Sequence, residues 1–143
     1  MSEVNKGFNV GLTDDDNEAV YEIPLGFDEN GEVTESISVV GKNSQKYKDA
    51  DRQLSRATLK KSSVRGRGLD LKREADADEF LDAREASNVT LATAATVGWK
   101  GLTSGGEVYE FSQANAKALY AGNTYIRDKV MAAVEDAANF LKR

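Results

Sequence analysis

Residues 21–39 read YEIPLGFDENGEVTESISV, and this stretch decides the fold class. Apolar and polar residues alternate on both sides of the turn sequence DENGE. Period-two alternation around an Asn-Gly pair is the strongest short-range signal for a β-hairpin. A lone hairpin is marginal in water, so its apolar face must pack on the rest of the chain or on a partner. We therefore predict an N-terminal hairpin, with Phe8, Val10 and Leu12 as a candidate third strand.

After Gly41 the apolar spacing changes from that of strands to that of helices. Asn43 or Ser44 can cap the first helix, in which apolar residues recur between charges. The residues predicted to be helical are about 44–62, 69–86, 89–97, 112–121 and 124–143. The stretch at 89–97 is small and densely apolar, which favours a fully buried helix. The predicted fold is α+β and mainly helical, with four or five helices and most of the core in residues 69–141.

Two of the predicted helix boundaries depend on only one or two residues. Asp70 is a plausible N-cap for the second helix, and Ser87-Asn88 can break or recap it. In the last helix an apolar stripe predicts the buried face, and Arg127 falls among the charged residues on the opposite, solvated face.

The length of 143 residues, at 15.5 kDa, predicts a single domain over 1–143. Within it, residues 1–42 form an acidic hairpin region and residues 43–143 a helical region. Residues 1–42 carry ten acidic and two basic residues, whereas 43–73 carry ten basic and three acidic residues. The charge is thus strongly segregated along the chain.

Two residue types are missing from the sequence, and their absence excludes several chemistries. Without cysteine there is no disulfide or thiolate metal site, and without histidine there is no imidazole base or ligand. The acidic runs lack the spacing of a calcium loop. No apolar run of transmembrane length occurs, and the N-terminus does not resemble a signal peptide. We expect a cytoplasmic protein that is not an enzyme, with no catalytic residue, cofactor site or metal site.

The basic segment 43–73 has three interpretations. It can pair with the acidic residues of 1–42 or with an acidic partner, it can form a plain solvated face, or it can bind the phosphates of a nucleic acid. Only Tyr47 could stack on a base, so nucleic acid is the least favoured partner.

Large aromatic residues cluster in the last third of the chain. They are Trp99, Tyr109, Phe111, Tyr120 and Phe140. These residues belong to the core or, where exposed, form a partner-binding surface, for which Trp99, Tyr109, Phe111 and Tyr120 are the candidates. We predict that Trp99 closes the helical core, because it follows the apolar stretch and precedes a glycine turn. If it is exposed instead, it is a partner anchor.

The residues around these aromatics resemble a known family. VGWKGL at 97–102 precedes a Gly-Gly turn, and FSQANAKALY at 111–120 follows it. IRDKV at 126–130 and NFL at 139–141 come later. Together they are similar to the C-terminal signature of tail assembly chaperones of long-tailed (siphovirus-type) bacteriophages and prophages. In that family a W-x-G-L segment, a glycine turn, an F-S-x-x-N-A helix start and a last helix ending near N-F recur in this order.

An upstream segment extends the resemblance to residues 40–141. VGKNSQKY at 40–47 resembles the family's G-K-D-S-x-x-Y junction, with Asn43 where Asp is usual. Asn and Asp are both N-cap residues, so the change leaves the junction intact.

The resemblance implies a non-enzymatic protein of the host cell cytoplasm. Such a protein keeps the tape measure protein soluble and helps to recruit tail tube subunits during tail morphogenesis, with no membrane partner; self-association is left open. The alternative is a structural virion protein of the tail or neck (a tube, terminator or connector subunit), in which the hairpin adds strands to neighbours. A third class is a nucleic-acid-binding regulator.

Overall fold

A computed structural model describes residues 18–141 of the chain. The strands are β1 (Val20–Phe27), β2 (Val33–Val40), β3 (Thr96–Lys100), β4 (Thr103–Ser104) and β5 (Glu107–Val108). The helices are α1 (Gln45–Arg65), α2 (Glu74–Ala95), α3 (Gln113–Gly122), α4 (Thr124–Glu135) and a 3-10 helix (Ala137–Phe140). The predicted α+β, mainly helical class is confirmed. The candidate strand at Phe8, Val10 and Leu12 lies outside the described residues.

The hairpin forms where the alternation predicts it. β1 and β2 pair antiparallel, with Ile23 opposite Ile37. The Asp28 carboxylate accepts the amides of Asn30 and Glu32 at 2.8 and 3.0 Å, which closes the turn. Gly31 has a φ of +80°, a conformation that favours glycine.

A β-bulge near the end of β1 changes the side to which Phe27 points. The register shifts between Pro24 and Gly26 and again between Gly26 and Phe27. A one-residue shift moves a side chain to the other face of a sheet. Phe27 is therefore 61% exposed, although simple alternation places it with the buried Ile23.

The third strand of the sheet comes from a segment predicted to be helix and turn. β3 pairs antiparallel with β2, so the order is β1-β2-β3, and Ile37 is opposite Trp99. The buried helix predicted at 89–97 therefore ends at Ala95. Thr96 and Val97 are β-branched residues that favour strands, and the unpaired edge of β2 accepts them.

The core lies between the sheet and the helices α2, α3 and α4. Its buried apolar residues are Ile23, Ile37, Val39, Val40, Val89, Ala92, Ala95, Ala116, Tyr120, Val130, Val134 and Phe140. Eight of these twelve fall in 69–141, as predicted, but residues 69–88 contribute none of them. Gly41 passes so close to Phe140 that an added Cβ would lie 2.8 Å from its ring.

α1 and the first part of α2 form a helical arm, which we define as residues 45–86. Ser44 caps α1 by accepting the Tyr47 amide, and Gly66 ends it with a φ of +81°. α1 continues a turn beyond the predicted end near 62 and contains no buried residue. Its main packing partner is α2.

α2 begins later than predicted and is not interrupted. Asp70 accepts the Lys72 amide in a local turn, so the helix starts at Glu74 rather than at Asp70. Ser87 and Asn88 lie inside the helix. Their helix propensities are only modestly unfavourable, and the core packing of the following turns outweighs them.

α4 differs from its prediction at two points. Arg127 is only 6% exposed, not solvated, because it faces α2 and α3. Its Nη1 lies 3.4 Å from both the Glu85 carboxylate and the Tyr120 carbonyl. The helix also ends at Glu135, since Asp136 accepts the Ala138 amide and caps the 3-10 helix that follows.

Candidate functional site

Three of the predicted partner-binding aromatics form one cluster beside β3. The Trp99 ring stacks on Tyr109 with centroids 5.6 Å apart and planes 9° from parallel. Phe111 meets Trp99 edge to face at 5.0 Å. All three residues are half-buried, and Trp99 and Phe111 pack against the core cluster. We call Trp99, Tyr109 and Phe111 the aromatic cluster.

The cluster depends on a short chain reversal between β3 and α3. Gly101 has a φ of +76°, and β4 and β5 are joined by Gly105-Gly106, both also at positive φ. The Tyr109 amide then bonds to the Leu102 carbonyl at 2.9 Å. The chain therefore turns back past β3, which places the Tyr109 ring against the Trp99 ring.

Hydrogen bonds fix the rings of the aromatic cluster. The Trp99 Nε1 donates to the Tyr109 carbonyl at 2.7 Å, and the Tyr109 hydroxyl donates to the Asn115 carbonyl at 3.0 Å. Ser112 accepts the Asn115 amide at 3.0 Å and caps α3. The polar atoms are thus satisfied inside the protein, and the ring surface that stays accessible is apolar.

Tyr120, the fourth predicted partner-binding residue, lies elsewhere. It has no exposed surface, and its hydroxyl lies 2.6 Å from the Thr96 Oγ1. Burial raises the pKa of Tyr120 to about 12, an effect that the Thr96 hydrogen bond partly opposes. Tyr120 is therefore a core residue and is removed from the candidate contact surface.

Sequence reasoning missed an exposed apolar residue beside the cluster. Val108 is 73% exposed and directly precedes Tyr109. In an extended segment, neighbouring residues point to opposite sides, so the half-buried positions of Tyr109 and Phe111 leave Val108 outward. The alternation of VYEF at 108–111 contained this signal.

The basic segment pairs mainly within the arm. Arg65 forms an ion pair with Glu79 at 2.5 Å, and Arg67 forms one with Asp76 at 2.6 Å. Among the described residues, the acids that form ion pairs with this segment belong to α2 or, in the case of Asp70 with Arg73, to the segment itself, and none belongs to residues 1–42. Glu18 does reach this segment, where its carboxylate accepts the Gln45 amide at 2.9 Å.

Asp76 is the most strongly perturbed carboxylate of the arm. The hydrogen bond from the Arg67 guanidinium, helped by the Asp70 amide, lowers the pKa of Asp76 to about 2. These contacts hold the connection between α1 and α2 against the start of α2.

Within residues 18–141, no group of three or more potential ligand side chains is arranged to hold a metal ion. No helix in this part of the chain is both long and apolar enough to cross a membrane. No family model matches the chain, and neither a curated protein nor a solved structure is significantly similar to it.

Proposed function

We propose that this protein is a tail assembly chaperone of a long-tailed phage or prophage. It acts in the host cell cytoplasm, keeps the tape measure protein soluble and helps to recruit tail tube subunits. One observation carries the proposal: residues of the resemblance that are distant in sequence come together in pairs and clusters. A Cβ added to Gly41 would meet the Phe140 ring, and Trp99 meets Phe111 edge to face while it stacks on the intervening Tyr109.

The proposed holding surface is the aromatic cluster together with Val108. It lies next to β3, an edge strand of the three-stranded sheet. Half-buried aromatic rings offer apolar contact area at low entropic cost, and Trp, Tyr and Phe are enriched in protein interfaces. A holding chaperone needs such a surface and needs no catalytic group. The lack of histidine and cysteine supports a non-enzymatic role.

Co-expression with the tape measure protein of the same phage tests the proposal. The wild-type chain should raise the soluble fraction of the tape measure protein and co-purify with it. Val108→Glu should abolish both effects without changing the melting temperature, because this side chain is 73% exposed. Val20→Glu is the matched control: it lies on β1, is 57% exposed and should retain both effects. A tape measure protein that stays insoluble with the wild-type chain would contradict the proposal.

A structural virion protein is the second candidate, and the other edge of the sheet favours it. Among residues 18–141, β1 is an edge strand, and Val20 and Phe27 on it are exposed. Exposed edges can pair with a neighbouring subunit. Comparing infected lysate with purified particles separates the two functions. A chaperone occurs in the lysate but not in particles, whereas a virion protein forms a stoichiometric band in particles.

A further inference from the structure

The arm presents two adjoining surfaces of opposite charge. α1 carries seven basic and two acidic residues, whereas residues 74–86 of α2 carry six acidic and one basic. The basic strip on α1 is lined by Gln53, Arg56, Ala57, Leu59, Lys60 and Ser63. The acidic groove is lined by Lys61 and by Ala75, Asp78, Glu79, Asp82, Ala83 and Ala86 of α2. The cleft between α1 and α2 joins them, because Ala57 lines both the strip and this cleft, and Lys61, Glu79, Ala83 and Ala86 line both this cleft and the acidic groove.

α1 is poorly buried for a helix of its length. None of its 21 residues is buried, and Leu59 and Val64 are 70% and 90% exposed. Helices in proteins draw most of their stability from packing an apolar face. Within residues 18–141, no other element covers the side of α1 that carries the basic strip, which is therefore available for another chain.

We propose that the arm is a self-association surface and that its partner is a second copy of this chain. The basic strip of one copy lies in the acidic groove of the other. A two-fold axis then repeats the contact with the roles exchanged, which makes the interface isologous. Like charges oppose the alternatives, in which α1 meets α1 or α2 meets α2.

The dimensions of the arm suit a weak but specific dimer. At 1.5 Å per residue α1 is about 31 Å long and the arm part of α2 is about 20 Å long, and each helix is roughly 10 Å wide. Each copy thus offers roughly 500 Å², or roughly 1,000 Å² for the pair, which is about the least that a specific interface needs.

The side chains of the groove permit close approach of a helix. The acidic groove is lined by the small side chains of Ala75, Ala83 and Ala86. Ala57 and Leu59 contribute apolar atoms to the basic strip. Arg56 and Lys60 then oppose Asp78 and Asp82 of the second copy. These four side chains form no ion pair within the described part of one chain.

Charge reversal tests the proposal on the purified full-length chain. Sedimentation velocity over about 1–100 μM, a range suited to an interface this small, should show a monomer–dimer equilibrium that weakens with salt. Arg56→Glu/Lys60→Glu should make the chain monomeric, and so should Asp78→Lys/Asp82→Lys. Combining all four changes should restore the dimer. A monomeric wild-type chain, or reversals that leave the dimer intact, would overturn the proposal.

Matched controls exclude effects of net charge and of misfolding. Lys117→Glu/Lys129→Glu and Glu107→Lys/Glu110→Lys make the same charge changes at exposed positions outside the arm, and both should still dimerise. Circular dichroism should show unchanged helix content in every variant.

A cross-linking test locates the contact independently, because the chain has no cysteine of its own. A mixture of Ala57→Cys and Ala83→Cys chains should be joined by a short thiol cross-linker. A mixture of Ala57→Cys and Val108→Cys chains should not be joined. Equal cross-linking in the two mixtures would place the interface elsewhere and overturn the proposal.

Discussion

The hydroxyl groups of Tyr120 and Thr96 lie 2.6 Å apart, and neither residue has any exposed surface. Thr96 also donates to the Ala92 carbonyl at 2.8 Å, so it marks the point where α2 ends and β3 begins. Tyr120 thereby ties α3 to the junction between the helical layer and the sheet.

The burial of Tyr120 predicts a loss of stability at alkaline pH. The pKa of Tyr120 is about 12 when folded, against an ordinary value of 10.0, so the native state retains a proton that the unfolded state releases. The contribution is complete below about pH 10 and is lost as pH rises towards 12. Denaturant unfolding from neutral to alkaline pH should show this decline. Tyr120→Phe should cost about 1 kcal/mol at neutral pH and flatten the decline; an equally steep decline in this variant would contradict the assignment.

The lowered pKa of Asp76 predicts a loss of stability in acid. Its folded pKa of about 2 is below the ordinary 3.8, so its contribution is present above about pH 4 and is lost as pH falls towards 2. The protection of the Asp70 amide, which donates to Asp76 at 2.9 Å, should fall across this range when its deuterium exchange is compared with the intrinsic rate at each pH. In Asp76→Ala, which has no side-chain acceptor, this amide should be unprotected throughout. Fast exchange of the Asp70 amide in the wild-type chain at neutral pH would show that its hydrogen bond to Asp76 does not persist.

Gly101 should tolerate no side chain. Its φ is +76°, and an added Cβ would lie 2.5 Å from the Thr34 carbonyl oxygen. Gly101→Ala should cost about 2–4 kcal/mol, since backbone strain and a steric clash act together. Gly105→Ala, at φ +60° with open space around it, should cost only about 1 kcal/mol. Gly98→Ala introduces neither backbone strain nor a clash and should leave stability nearly unchanged. Equal losses of stability in Gly101→Ala and Gly105→Ala would show that the clash with Thr34 does not matter.

Trp99 should contribute to stability through the aromatic cluster. Because it is half-buried, Trp99→Ala should cost about 2–3 kcal/mol, below the usual range for a fully buried aromatic. Trp99→Phe keeps the ring contacts but removes the donor to the Tyr109 carbonyl, which should lower the free energy of unfolding by about 1 kcal/mol. Melting temperature and co-purification of the tape measure protein should be measured together. A Trp99→Ala chain that keeps its melting temperature but loses the partner would show an anchoring role instead.

The basic residues of the arm should not bind nucleic acid tightly. Arg65 and Arg67 are already paired with Glu79 and Asp76, and Tyr47 is the sole aromatic residue in α1. A gel-shift assay at physiological salt should show no complex at submicromolar protein concentration. A complex that weakens steeply with salt would favour the nucleic-acid-binding class.

Local sequence signals predicted the elements whose stability is local. The DENGE turn and its flanking alternation specified the hairpin, because turn geometry and side-chain period act over a few residues. Ser112 predicted the start of α3 for the same reason, since a cap bonds to an amide three residues away. The cluster of Trp99, Tyr109 and Phe111 was also visible, as large apolar residues in one short region.

Tertiary packing decided the features whose partners are distant in sequence. Thr96–Lys100 became a strand because the edge of β2 offered unpaired backbone groups, which no local pattern records. Arg127 was wrongly predicted to be solvated, and the sequence left open whether Tyr120 is a core or a contact residue, because neighbouring helices and the sheet set the environment of both side chains. The order of residues alone specifies the amphipathic segments and the hairpin turn. The structure decided which faces meet, because burial depends on contacts between segments that are far apart along the chain.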